Sequence, residues 1–249
     1  MPNLRPLLTA IVGVIVGGAL IGAIVVLGTP RISQPPFAAA EPLPPLPAVA
    51  PLEIAAVSTP GVAQLASAAW LARVSKNTGI PARALAAYAG VAIQVGIQNP
   101  TCGLGWNTLA AVGSIESHHG TIFGGTLAAN GDATPAIYGI ALDGVDAASI
   151  PDSDGGMLDG DPTHDRAMGP LQLIPEAWRN WHVDGNADGV ENPQNVDDAT
   201  LAAAHYLCRA GRNLTTADGW STAILAYNGS AKYREDVLRA AVTYAANAE

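Results

Sequence analysis

The sequence predicts a mainly α domain with long irregular loops, set behind an apolar N-terminal segment and a Pro-rich tether. Three observations carry this expectation. Apolar residues recur at helical spacing in several segments beyond residue 60. No alternating apolar/polar series of strand length and no internal repeat is found, and Pro and Ala crowd the stretch just before the helical part.

The elements follow in order. Arg5 precedes an apolar run from Leu7 to Leu27 broken only by Thr9, and about 20 such residues suffice to cross a bilayer as a helix. Residues 1–28 therefore read as a membrane anchor. The alternative is a signal segment cleaved at the Ala-x-Ala formed by Ala38, Ala39 and Ala40, although that site lies far beyond the end of the run. Either reading exports everything after Leu27. Residues 29–60, with Pro35-Pro36 and Leu43-Pro44-Pro45-Leu46-Pro47, favour extended polyproline conformations and read as a linker. Residues 61–249 form the remaining domain, of ordinary size for a single core.

Within that domain a helical pattern begins at Gly61 and stops at Gly79, a residue suited to a helix C-terminus. Pro81 suits the first turn of a second helix ending near Gln98. A third starts near Trp106. Later helices are expected from about Asp197 to Ala210, after Asp218, and from Lys232 to Asn247. The stretch from Gly124 to Pro170, rich in Gly, Asp and Pro, shows neither strand nor helix period and is too long for an ordinary connection. It is expected to wall a substrate groove.

A formal net charge of -9 excludes the usual electrostatic route to nucleic acid, which needs Lys and Arg to neutralise phosphates. Cys102 and Cys208 are an even pair in a domain expected to face an oxidising compartment, where a disulfide is the default and two buried thiols the alternative.

Helical spacing puts Leu109, Val112, Gly113 and Glu116 on one face of the third helix. A carboxyl that continues an apolar stripe is partly desolvated, which raises its pKa and keeps it protonated near neutrality, the state a general acid requires. Gly113, one turn earlier, is expected to leave room for a substrate. The bland alternative is a helix-end Glu paired with His118, His119 or solvent.

Three segments then occur in a meaningful order: Ile115-Glu116-Ser117-His118-His119-Gly120, Arg166-Ala167-Met168-Gly169-Pro170-Leu171-Gln172-Leu173-Ile174-Pro175, and Ala226-Tyr227-Asn228-Gly229-Ser230. Together they resemble the membrane-bound lytic transglycosylase B type of lysozyme-like enzymes, over roughly Gln64 to Tyr244. The resemblance implies a lysozyme-like helical fold and cleavage of peptidoglycan between N-acetylmuramic acid and N-acetylglucosamine. Glu116 would be both acid and base, the product a 1,6-anhydro sugar. It also implies that Met168, Gly169, Gln172, Tyr227 and Asn228 belong to the substrate-binding groove, with the Tyr227 phenol near Glu116. Relatives of this type often carry Met and Phe where Leu171 and Leu173 stand, and secreted relatives carry a cysteine pair at Cys102 and Cys208.

Asp184-Gly185-Asn186-Ala187-Asp188-Gly189-Val190 matches the first half of an EF-hand loop, but position 12 is Asn195 where the standard loop has Glu. Asp198 resembles the closing ligand of the extended loop in the same enzyme type, with Asp197 its competitor. The implied ligands of a structural calcium ion are Asp184, Asn186, Asp188, the Val190 carbonyl and Asp198. The chemistry itself needs no cofactor. Two other functions compete: a muramidase hydrolase recruiting a second carboxylate from Asp143, Asp152, Asp154, Asp159, Asp161 or Asp165, and a non-catalytic wall-binding protein. The expected partners are peptidoglycan glycan strands and, through the N-terminal segment, the membrane.

Overall fold

The computed structural model describes residues 61–145 and 147–248. The expected anchor, cleavage site and tether lie outside those residues. Among the described residues seven α-helices dominate: α1 (Ala68–Thr78), α2 (Ala82–Gln98), α3 (Trp106–Ser117), α4 (Pro175–Trp181), α5 (Val196–Gly211), α6 (Ala217–Tyr227) and α7 (Ala231–Asn247). The mainly helical class expected from the sequence is what is found.

Local chemistry fixes the ends of these helices. Side-chain oxygens of Ser67, Asn195, Thr216 and Ser230 accept N–H groups in the first turns of α1, α5, α6 and α7, satisfying donors that have no partner inside the helix. Gly79 closes α1 in the left-handed conformation, as its position suggested. Pro81 stands immediately before α2. The helical stretch expected from Gly61 is interrupted. Val62–Gln64 forms a single 3₁₀ turn and α1 proper starts at Ala68.

α2 and α3 are buried along most of their lengths, so the centre of the domain is made of Ala, Val and Leu from both helices together with Trp70 and Trp106. These two indoles meet edge-on at 5.5 Å, a favourable arrangement of ring quadrupoles. α7 packs along α3, α5 packs against α2 and α6, and α4 lies on α5. Cys102, just before α3, is disulfide-bonded to Cys208 near the end of α5, with 5.4 Å between Cα atoms. The expected pairing is therefore present. Closing a loop of 106 residues restricts the unfolded chain, by about 5 kcal/mol in the chain-entropy view.

The Gly124 to Pro170 region differs from a structureless loop. Thr126–Leu127 (β1) pairs antiparallel with Ala133–Thr134 (β2), and Tyr138–Ala141 (β3) pairs with Arg166–Met168 (β4). Strands of two to four residues are too short to show an alternating pattern, which is why the sequence did not announce them. α4 escaped notice for a related reason: two turns opened by Pro175 give no sustained helical period.

Candidate active site

Glu116 lies in the last turn of α3, one residue before the helix ends. The helix stops through two consecutive residues in the left-handed region, His118 (φ 51°) and His119 (φ 62°). Their N–H groups reach back to the carbonyls of Ser114 and Gly113, a Schellman-type closure that Gly normally supplies. Non-glycine residues held there cost on the order of 1–3 kcal/mol each and persist only where neighbours hold them.

The Glu116 carboxyl retains some surface exposure but is densely surrounded, and this burial raises its pKa to about 7. A hydrogen bond from Tyr233 partly opposes the rise. The Tyr233 hydroxyl donates to Glu116 Oε1 at 2.5 Å. At neutral pH the group therefore divides between acid and carboxylate, so it can give a proton and take one back.

Three bonds gather the rest of the site around α3. Ser117, next to Glu116, donates its hydroxyl to the Pro170 carbonyl at 2.6 Å and accepts the Gly120 N–H at 2.8 Å. The Tyr227 hydroxyl donates to the Leu171 carbonyl at 2.5 Å. Tyr227 and Tyr233 both feel the charge of Glu116, which, after burial, helps to hold their pKa values well above the phenol range. Glu116, the turn from Gly169 to Gln172, the end of α6 and the start of α7 thus share one region.

The turn is built for display. Met168 and Leu173 exchange both backbone hydrogen bonds, and the Gln172 N–H closes onto the Gly169 carbonyl. Gly169 is required twice over: its φ is 71°, and a Cβ there would stand 1.8 Å from the Pro193 carbonyl oxygen. Gln172 itself sits at φ 48°. Its amide nitrogen donates to the Gly169 carbonyl, and it shares a small cleft with Leu173, Ile174, Ala177 and Tyr227.

Several residues expected in a groove are placed otherwise. Met168 is fully buried and packs in the core, and Leu171 and Leu173 are buried beside it. Asn228 is also buried, its side-chain oxygen accepting the Ser230 N–H at the start of α7. Tyr227 lies near enough to feel the charge of Glu116, but its hydroxyl is on the Leu171 backbone, and the phenol hydrogen-bonded to Glu116 is that of Tyr233. Gly113 makes room for protein: a Cβ there would lie 2.1 Å from the Tyr88 hydroxyl. His119 does not pair with Glu116 but is bonded to Tyr88 and Tyr244.

The aspartates of the loop are engaged by the backbone. Asp152 accepts from the N–H groups of Asp154, Gly155 and Gly156, and Asp154 from those of Met157 and Leu158. Asp161 takes the N–H groups of Thr163 and His164 and the Thr163 hydroxyl, and Asp159 those of Asp161 and Arg166. Buried Asp165 holds Ser153 by both its N–H and its hydroxyl. These are turn-forming carboxylates. Oxygens of Asp152, Asp154 and Asp165 lie within 4.8 Å of one another, but each residue already accepts from or holds its own loop.

In the 184–198 loop, Asp198 accepts from the N–H groups of Gly185, Asn186 and Asn192. Burial lifts its pKa to about 6 against those bonds. Asp184 accepts from Asp188 and Gly189, Asn186 from Asp188, and Asp188 from Val190. Asp197, the competing closing ligand, makes a two-point ion pair with Arg83 at 2.6 and 2.8 Å. The expected calcium ligands therefore face their own loop's N–H groups. Asp184, Asp188 and Asp198 form no convergent set comparable to that of Asp152, Asp154 and Asp165. Each expected side-chain ligand thus accepts from its own loop, and no step of the chemistry is routed through a metal.

A cavity of about 460 Å³ lies elsewhere. It is lined by the ends of α2 and α5 with Trp181, His205, Arg209 and Arg212, and Glu116 does not border it. Glu116 is distinguished instead by partial exposure, a raised pKa and a hydroxyl partner, a combination common at functional sites. No protein-family model, curated protein or solved structure matches the chain.

Proposed function

We propose that this chain is a peptidoglycan lytic transglycosylase with Glu116 as its acid and base, carried out of the cytoplasm by residues 1–28 and held from the membrane by the 29–60 tether. The observation that carries the reading is Glu116 itself: a half-buried carboxyl with a pKa near 7, held by the Tyr233 hydroxyl.

In this reading the protonated carboxyl donates to the glycosidic oxygen as the bond from the muramic anomeric carbon breaks. The resulting carboxylate then takes the proton of the muramic 6-hydroxyl while that oxygen closes onto the anomeric carbon. Atoms balance without water, and Glu116 ends as it began, protonated. Tyr233 keeps the carboxyl in one orientation and stabilises it after it has lost its proton. Gln172, beside Tyr227 on the turn fastened to Ser117, supplies amide donor and acceptor groups for a sugar hydroxyl or acetamido group.

The rival hydrolytic reading needs a second carboxylate across the bond, and the loop aspartates are each engaged in holding their own turns. Purified peptidoglycan incubated with the exported domain should release soluble muropeptides, and Glu116→Gln should release none above background. Equal release by both proteins, or tight wall binding without release by either, removes the proposal.

A further inference from the structure

Beside Glu116 runs a chain of polar groups, buried at Tyr88 and His119 and half-buried at Tyr244 and Ser114, that the proton-transfer steps do not use. Tyr88 of α2 is fully buried and its hydroxyl lies 3.2 Å from His119 Nδ1. His119 Nε2 lies 3.0 Å from the hydroxyl of Tyr244 on α7, and that hydroxyl donates to Ser114 Oγ of α3 at 3.1 Å. The directions follow from supply. A phenol has one proton, and Tyr244 gives its own to Ser114, so it accepts from His119 Nε2–H. Nδ1 is then bare and accepts the Tyr88 proton. Every member is satisfied by a neutral His119 in a single tautomer. A protonated ring would set a second N–H against the Tyr88 hydroxyl, and burial together with the neighbouring His118 lowers the pKa of His119 to about 4.

The chain is also where the strain of the site is held. His119 is one of the two left-handed residues that end α3, its N–H caps Gly113, and the Tyr88 hydroxyl occupies the space that Gly113 leaves bare. The ring therefore ties the last turn of α3 to α2 and α7, while Ser114 ties it to α7 again. Glu116 lies between these two points in sequence and meets α7 through Tyr233.

We propose that His119 is a positioning residue for Glu116: as a neutral clamp between Tyr88 and Tyr244 it fixes the last turn of α3 against α7, and so holds the carboxyl in the half-buried, Tyr233-bonded position that proton transfer needs. This rests on the reading of Glu116 as the acid, but it has a readout that needs no turnover. Displacements of about 1 Å at a reacting group cost on the order of 100-fold in rate, so a loosened turn should lower kcat while leaving ground-state binding in place.

The test is carboxyl titration by NMR on the exported domain with ¹³C-labelled glutamate, Glu116 being assigned by the signal lost in Glu116→Gln. In the native protein the carboxyl should titrate near 7. Tyr244→Phe keeps the ring and removes only the hydroxyl link; it should let water reach Glu116 and move its titration toward the ordinary 4.5. kcat on purified peptidoglycan should fall about tenfold or more with KM little changed. His119→Gln, which keeps a donor and an acceptor, should be milder than His119→Ala on both readouts. A Tyr244→Phe protein that melts lower but titrates Glu116 as the native one does would reduce the network to ordinary core packing and overturn the proposal. So would a native Glu116 titrating in the usual carboxylate range. Because the titration is read without cleavage, it is decided even if the lytic reading fails.

Discussion

Glu116 and Asp152 are both carboxylates of the same domain, and the fold treats them in opposite ways. Glu116 closes a nearly apolar helix, receives a single hydroxyl hydrogen bond, and is pushed up to about 7 by burial. Asp152 stands in open loop, accepts three backbone N–H groups, and is held below its ordinary value chiefly by them. The difference separates two uses of an acid. Backbone donors fix a carboxylate in its charged form and tie it to one turn, whereas desolvation with one mobile-proton partner leaves a group able to exchange its proton near neutrality. Asp154, Asp159 and Asp161 likewise accept backbone N–H groups and turn the loop.

The largest expected effect tests that contrast in activity. Glu116→Gln should reduce muropeptide release by about 1000-fold or more, within the range general acid–base groups contribute. Asp152→Asn and Asp154→Asn, measured in the same assay, should stay within about tenfold of the native rate. An aspartate substitution as damaging as that of Glu116, in a protein that still folds, would break the comparison and bring the hydrolase back.

A second expectation concerns stability against pH, where the two residues should act with opposite sign. The folded pKa of Glu116 lies above its unfolded value of 4.5. Stability is thus undiminished below pH 4.5, falls as pH rises toward 7, and is fully reduced above that. Glu116→Gln should therefore unfold at higher urea than the native protein at pH 8, by on the order of 1–2 kcal/mol after allowance for partial exposure, and show no such gain at pH 4. For Asp152 the folded pKa lies below the ordinary 3.8, so its contribution is present above that pH and fades as acid protonates it. Asp152→Asn should lose stability at pH 7 and approach the native protein in strong acid. Urea titrations of the three proteins at both ends of the pH range check this, and like-signed changes would erase the distinction.

How far the site was legible follows from which interactions are local. The apolar stripe leading to Glu116 is written in successive turns of one helix, and so is the expectation of a perturbed acid there. The Cys102–Cys208 bond followed from an even pair in a domain expected to be exported. Tyr233 was not legible, because its contact with Glu116 spans 117 positions and depends on α7 lying along α3. The sequence pointed to Tyr227 for that role. It is in the right neighbourhood, but its phenol is turned to the Leu171 backbone. Gly113 was misread for the same reason: a bare helix face shows that something approaches, and only packing shows that it is Tyr88. The short strands and α4 were hidden because each is too brief to carry a period.

The smallest expected effect concerns the 184–198 loop, which lies on the backbone-donor side of the comparison. Closed by its own hydrogen bonds, it should be indifferent to chelation, with the melting temperature of the domain shifting by no more than about 1–2 °C, the size of a few tenths of a kcal/mol. A larger drop on chelation that Asp184→Ala abolishes would mean that these carboxylates turn to a calcium ion, and would restore the ligand set expected from the sequence.

The central claim is that one carboxyl, without a partner from the Asp-rich loop, both protonates the leaving oxygen and completes ring closure. Mass analysis of the chain ends in peptidoglycan digested by the native protein tests it most directly. Glu116-dependent 1,6-anhydro-muramic ends are the predicted result, and free reducing muramic ends, each carrying the elements of water, would contradict it.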